Sequence, residues 1–176
     1  MAAIDRQPEN ENYLSPTGFN FVLNRAPHLV YYCQAVTLPT ISMNPIQFAN
    51  PVRNIPIPDT KMEFSELSLR FRVDEDMRNY QEIYDWMIGL GSPNSTNQYA
   101  NLVGNPRGKV FDRESEVYSD ARLTVLTSHK NFNLEIAFKS LFPLSLSPLA
   151  FESTSSDINY LEAEVSFTYR DFSIER

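Results

Sequence analysis

Between Phe64 and Pro93 the spacing of apolar positions changes once, and that change divides the chain. In FSELSLRFRV, Leu67, Leu69, Phe71 and Val73 alternate with Glu66, Ser68, Arg70 and Arg72. A period of two predicts a half-buried strand, apolar on one face and charged on the other. In the following DEDMRNYQEIYDWMIGLG, Met77, Tyr80, Ile83, Tyr84 and Met87 recur at spacings of three and four. They predict an amphipathic helix over 77–90. Asp74, Glu75 and Asp76 supply an N-cap and negative charge at its positive end. Gly89 or Gly91 serves as a left-handed C-cap, and Pro93 stops the helix.

The rest of the chain reads as strand, hairpin or loop. Phe19, Phe21 and Leu23 share one face of a strand that Pro27 ends. HLVYYCQAVTLP predicts a second strand with bulk on both sides, hence covered on both sides. After ARLTVLTS, FNLEIAFKSLF places Phe132, Leu134, Ile136 and Phe138 on one face, and a Pro- and Ser-rich connection from Pro143 follows. In INYLEAEVSFTYRDFSI, Leu161, Ala163, Val165, Phe167 and Tyr169 point inward, opposite Glu162, Glu164, Ser166, Thr168 and Arg170. That final strand, about 12 residues or more, exceeds the usual five or six. The predicted fold is mainly β with one flanking helix: a two-sheet sandwich or barrel over 18–176.

Three segments do not fit a self-contained sheet. Residues 1–17 are polar and aperiodic, either a solvated tail or an arm anchored on a neighbour by Tyr13 and Leu14. From Ile41 to Pro58 the pattern alternates like two strands, but Pro45, Pro51, Pro56 and Pro58 each remove a ladder donor. A protruding hairpin arm is expected, either covered by a partner or folded back on its own domain, because an isolated hairpin is marginal in water. Residues 91–119 form a long polar loop, and loops of that length are commonly functional or mobile.

Composition narrows the function classes. The chain has 176 residues, enough for one domain with a real core. Its net charge of −7 disfavours nonspecific binding to a nucleic-acid backbone. No apolar run approaches a membrane span and no signal-peptide core is read at the N-terminus, so a soluble protein made in a reducing compartment, without membrane insertion, is expected. Cys33, the single cysteine, excludes an intrachain disulfide. His28 and His129 have no second ligand at metal spacing, and no nucleophile elbow, P-loop or dinucleotide turn occurs. A hydrolase using Cys33 and His129 is weighed against this, but a thiol among tyrosines and valines reads as buried and inert. Glu162 and Glu164 lie on one strand face without an implied pocket. No enzyme and no cofactor are expected.

The order of features carries a resemblance. Y-x-C-Q-A-V-x-L-P is followed by the proline-broken arm, then P-D-T-x-x-F-x-E-L-x-L-x-F from Pro58 to Phe71, the D-E-D turn and Tyr84 to Met87 as Y-D-W-M. K-S-L-F-P from Lys139 to Pro143 precedes the final E-V-S-F-T-Y strand. Over roughly 18–174 the chain resembles the tail tube proteins of contractile-tailed bacteriophages.

The resemblance implies a structural virion protein, assembled in the bacterial host cytoplasm. Six copies would form a ring whose strands join into an inner β-barrel, and rings would stack into a tube that conducts DNA. It implies contacts with other copies and with sheath, baseplate and tape-measure proteins. Within the arm, Ile41, Ile46, Phe48, Val52, Arg53, Ile55 and Ile57 are the candidates for contacts between subunits or rings. Glu162, Glu164, Ser166 and Thr168 are the candidates for the lumen wall, with Arg70, Arg72 and Arg170 as opposing charges. Six copies at −7 carry about −42, and any share facing the lumen repels phosphate. The long N-terminal arm and the 91–119 loop leave room for a tube-initiator ring, a terminator ring, or the tube of a phage-derived injection machine. A monomeric β-sandwich binding module is the alternative outside the family.

Overall fold

The computed structural model describes residues 12–91, 98–99, 117–153 and 160–175. Two sheets share one long strand. Sheet A comprises β1 (Phe19–Leu23), β8 (Ser119–Leu126), the first part of β9 (Phe132–Leu146) and β11 (Asp171–Glu175). Sheet B comprises the last part of β9, β10 (Glu162–Thr168), β7 (Leu67–Arg72) and β2 (Cys33–Thr37). Every pairing is antiparallel.

The transfer of β9 between sheets happens at Ser140. Its φ is 53°, left-handed backbone that a non-glycine residue adopts only under local constraint. Ser119 opposes Leu141 while Ala121 opposes Phe138, so β9 carries one extra residue there, a β-bulge. The inward positions shift accordingly, from Ile136 and Phe138 before the bulge to Leu141 and Pro143 after it. Asp120 Oδ1 accepts the Ser140 N–H at 3.0 Å, and Lys139 O accepts the Arg170 N–H at 3.0 Å.

The predicted single C-terminal strand is therefore two strands. β10 pairs with residues 142–146, β11 with 135–139, and the chain breaks between them beside the bulge in β9. Ala163, Val165 and Phe167 are buried as the alternation predicts, while Leu161 and Tyr169 are half-buried at the ends. Pro143 lies inside β9 rather than opening a connection, which is tolerable because residues 142–146 have only β10 beside them. Phe132, predicted inward, is exposed because the core ends before the β8–β9 turn.

The core is formed by the inner faces of both sheets: Phe21, Leu23, Leu67, Leu69, Phe71, Leu123, Ile136, Phe138, Val165 and Phe167 are all buried. Among the described residues two helices close it, where one was expected. Pro27–Tyr31 forms α1 where a strand was expected. Pro27 opens it, since its fixed φ and missing N–H cost nothing in a first turn, and Leu29 enters the core while Tyr31 is left exposed. α2 (Arg78–Gly91) lies against α1 and β9.

The buried stripe of α2 is rotated from the predicted one. Asn79, Ile83, Trp86 and Gly89 are buried, with Tyr80, Met87 and Leu90 flanking them, whereas Met77 and Tyr84 are exposed. Trp86 sets this rotation. Its ring meets Phe167 at 6.2 Å, its Nε1 donates to Val117 O at 3.1 Å, and the Arg25 guanidinium sits 5.1 Å above it. The acidic triplet forms a turn before the helix, with no acid in the first turn itself. Met77 in that turn has φ 56°, and buried Asn79 ties it down: its Oδ1 accepts from the N–H groups of Asp74 and Tyr80, and its Nδ2 donates to Arg72 O at 2.7 Å. Gly89 lies within the helix and Gly91 ends it without left-handed backbone; Pro93 is outside the described residues.

Trp86→Ala should cost about 3–5 kcal/mol of unfolding free energy. Tyr84→Ala on the other side of the same helix turn should stay within about 0.5 kcal/mol. Urea denaturation of the two variants checks the rotation, and equal losses would contradict it.

Candidate functional site

No side-chain constellation for catalysis is assembled. Among the described residues no group of three or more His, Cys, Asp or Glu side chains could hold a metal, and no helix is long and apolar enough to cross a membrane. Cys33 stands in β2 of sheet B, while His129 lies in the β8–β9 turn of sheet A, bonded to Ser128. Burial pushes the Cys33 thiol up to about 11, opposite to what a nucleophile needs. His28 instead bonds Glu82 and ties α1 to α2.

Two surfaces remain, and both extend from the β2–β7 hairpin. The first is the outward face of sheet B. β10 turns Ala163, Val165 and Phe167 inward, so Glu162, Glu164, Ser166 and Thr168 share the opposite face. The register with β7 sets Glu162 across from Arg72, Glu164 across from Arg70, and Ser166 across from Ser68. Arg70 Nε lies 3.9 Å and Arg72 Nε 4.0 Å from the Glu162 carboxylate. Gln34, in the β2 bulge, places its side-chain amide between Glu162 and Arg72; with the amide nitrogen turned toward the carboxylate it donates to Glu162 at 2.8 Å and accepts from Arg72. Glu164 accepts from Ser68, its N–H donates to Ser147 Oγ at 2.8 Å, and Ser145 and Ser166 share a hydrogen bond of 2.8 Å. The four sequence candidates thus lie together, but with two glutamates facing two arginines. Of the arginines weighed against this face in the sequence, Arg70 and Arg72 stand beside its glutamates. Strand register matches the charges one to one.

The second surface is the arm. Beyond Thr40 and Ser65, which exchange hydrogen bonds at 2.7 and 3.0 Å, the hairpin continues through β3 (Ile41–Met43) with β6 (Met62–Phe64), then β4 (Ile46–Phe48) with β5 (Ile55–Ile57). It is longer than the predicted 41–58. Ile41 pairs with Phe64 and Met43 with Met62; Ile46 pairs with Ile57 and Phe48 with Ile55. Each ladder therefore gathers its apolar side chains on one face, with Ser42 and Glu63 or Gln47 and Pro56 on the other. All these apolar residues are exposed, from 37% for Ile55 to 90% for Val52 near the tip, where Arg53 is exposed as well. The arm does not fold back on its body. Its root is held by Phe64 against Phe172 at 5.5 Å and by Tyr169, whose hydroxyl donates to Ser65 O at 3.0 Å.

Sheet B also ends in unpaired backbone. Among the described residues no strand pairs with the outer edge of β2 or of residues 142–146, and in sheet A the outer edges of β1 and β11 are likewise open. Sequence reasoning missed Gln34, although its place between strand faces of equal bulk was a weak sign. Residues 1–11 and most of the 91–119 loop lie outside the described residues.

A family model described as "Phage tail tube protein" matches residues 6–175. No curated protein matches the sequence. Among solved structures, the chain is similar to the tube terminating cap of the anti-feeding prophage, with a TM-score of 0.60 at 13% identity over 99% of each chain. It is similar to a chain of the sheath–tube complex of an extracellular contractile injection system, PVC, with a TM-score of 0.56 at 14% identity over 94% of this chain and 93% of that one. For the sheath/tube terminator of that system the values are 0.57, 15%, 95% and 100%.

At pH 8 native Cys33 should react with an aromatic disulfide reagent about 100-fold more slowly than the unfolded chain, because its thiolate fraction is that much smaller. The rate should climb as pH approaches about 11. Equal rates for native and unfolded protein would contradict the burial of the thiol.

Proposed function

This chain belongs to the phage tail tube protein family, which is structural and not enzymatic, and from that premise we propose that it is a ring subunit whose copies stack into the inner tube of a contractile tail and conduct DNA. The observation that carries the reading is the arm of residues 41–64, whose apolar face is exposed throughout. Burying apolar surface contributes about 25 cal/mol per Å², and an arm with no core of its own gains that only against another molecule. A second copy in the adjacent ring suits it, through Ile41, Ile46, Phe48, Val52, Arg53, Ile55 and Ile57.

Sheet B supports the ring. Its two open edges, β2 and residues 142–146, are each five residues long. Joining the first edge of one subunit to the second edge of the next satisfies both rows of backbone groups and removes exposed edges. Four strands from each of six subunits give a barrel of roughly 24 strands, well beyond the size at which side chains fill the interior. Glu162, Glu164, Ser166 and Thr168 would then line the lumen, with the core side of the sheet facing outward beneath the helices. Sheath and baseplate proteins are the expected outer partners, since the structural neighbours include a sheath–tube complex and a baseplate.

A terminating ring of the same fold is the second reading, favoured by the likeness to the anti-feeding prophage cap. The two differ in growth. A tube subunit polymerises without limit, whereas a terminator stops at one ring.

Electron microscopy of the purified protein should show stacked rings. Removing residues 41–64 and joining Thr40 to Ser65 through an Asn-Gly turn should abolish stacking while leaving the unfolding transition of the body in place. Wild-type protein that stays monomeric at high concentration in light scattering would sink the proposal, and wild-type single rings that never stack would favour the terminator.

A further inference from the structure

The outward face of sheet B carries two arginines, and cations that close to a passing duplex would ordinarily bind its phosphates. Phosphate contacts made by Arg release condensed counterions and supply most nonspecific affinity. Here both guanidiniums, although half-exposed, stand beside an acidic neighbour. Both approach the same carboxylate, that of Glu162, at 3.9 and 4.0 Å, and Arg72 is held further by Gln34 and lies 5.4 Å from the centre of the Tyr160 ring. Glu164 completes the charge balance from the opposing strand position.

Resting on the reading that this face lines the channel, we propose that Glu162 is the specificity-determining residue of the wall: by occupying Arg70 and Arg72 it keeps an arginine-bearing surface from retaining DNA. The mechanism is local neutrality, not general repulsion. An exposed ion pair contributes little to stability, about 0–1 kcal/mol, so the arrangement is better explained by what it withholds from a ligand than by what it adds to the fold. Removing one negative charge from each subunit leaves the face with a surplus cation. In a ring the surplus is repeated around the channel, where a duplex meets every copy at once.

The polar rungs beside the arginines support the same role. Ser68, Ser145 and Ser166 are neutral and hydrogen-bond within the sheet or to Glu164. They offer water-like contacts without charge. The arginines are then the only side chains of the described β7 and β10 faces with cationic affinity for phosphate, and one glutamate governs both.

The test measures fluorescence anisotropy of a labelled DNA duplex of about 30 base pairs in low salt. Wild type should leave the duplex free. Glu162→Gln, isosteric and on an exposed position, should bind it at least tenfold more tightly, with an affinity that falls steeply as salt rises. Adding Arg70→Gln and Arg72→Gln should abolish the gain. Glu175→Gln makes the same change in net charge on sheet A and should do nothing. If Glu162→Gln fails to fold, Glu162→Ser serves in its place. A Glu162 variant as silent as wild type overturns the inference, and so does an equal gain from Glu175→Gln, which would make net charge the cause. Micrographs of the Glu162→Gln samples separate the two layers of the argument: duplex bound by protein that forms no rings would refute the ring reading while upholding the hold of Glu162 on the two arginines, whereas Glu162→Gln rings that leave the duplex free would overturn the inference.

Discussion

One strand must satisfy the hydrogen bonds of two sheets, and the rest of the molecule follows from how it does so. β9 gives its first part to β8 and β11 and its last part to β10. It turns from one sheet to the other at Ser140, where the extra residue of the bulge re-aims the inward side chains. A straight strand of that length would have extended one flat sheet and left its apolar face uncovered. Bent, it folds the two inner faces onto each other and leaves α2 with Trp86 to seal the core.

The same bend produces the open sheet edges. Because β8 stops at the bulge, residues 142–146 have among the described residues a partner strand on one side only, and β2 ends sheet B on the other side. The β2–β7 hairpin then runs on past the body as the arm. Its root is gripped by Phe172 and Tyr169, and the apolar residues of the rest are exposed. A fold that closes its core this completely while leaving open edges and an apolar projection is complete as a domain and incomplete as a surface. The proposed assembly into rings supplies a physical reason for that combination, since such surfaces would stay open until a neighbouring copy arrives.

Charge is organised by the same register. The chain carries a net charge of −7, and the outward face of sheet B holds its glutamates opposite its arginines. Net charge describes solubility and long-range fields. What a ligand touching this face meets is decided over a few ångströms, by which side chains stand beside one another.

Alternation in the sequence identified the buried faces of β1, β7 and β10, the existence of α2 and the exposed apolar arm. These depend on which side of a strand or helix a side chain leaves, a property of consecutive residues. The short helix at Pro27–Tyr31, the rotation of the α2 stripe around Trp86 and the break before β11 were not legible, because each depends on partners far along the chain. Likewise the sequence put Glu162 and Glu164 on one face and Arg70 and Arg72 on another strand's corresponding face. Only the pairing of β10 with β7 brought them together, since register between strands ninety residues apart is set by the core that both strands cover, not by the residues between them.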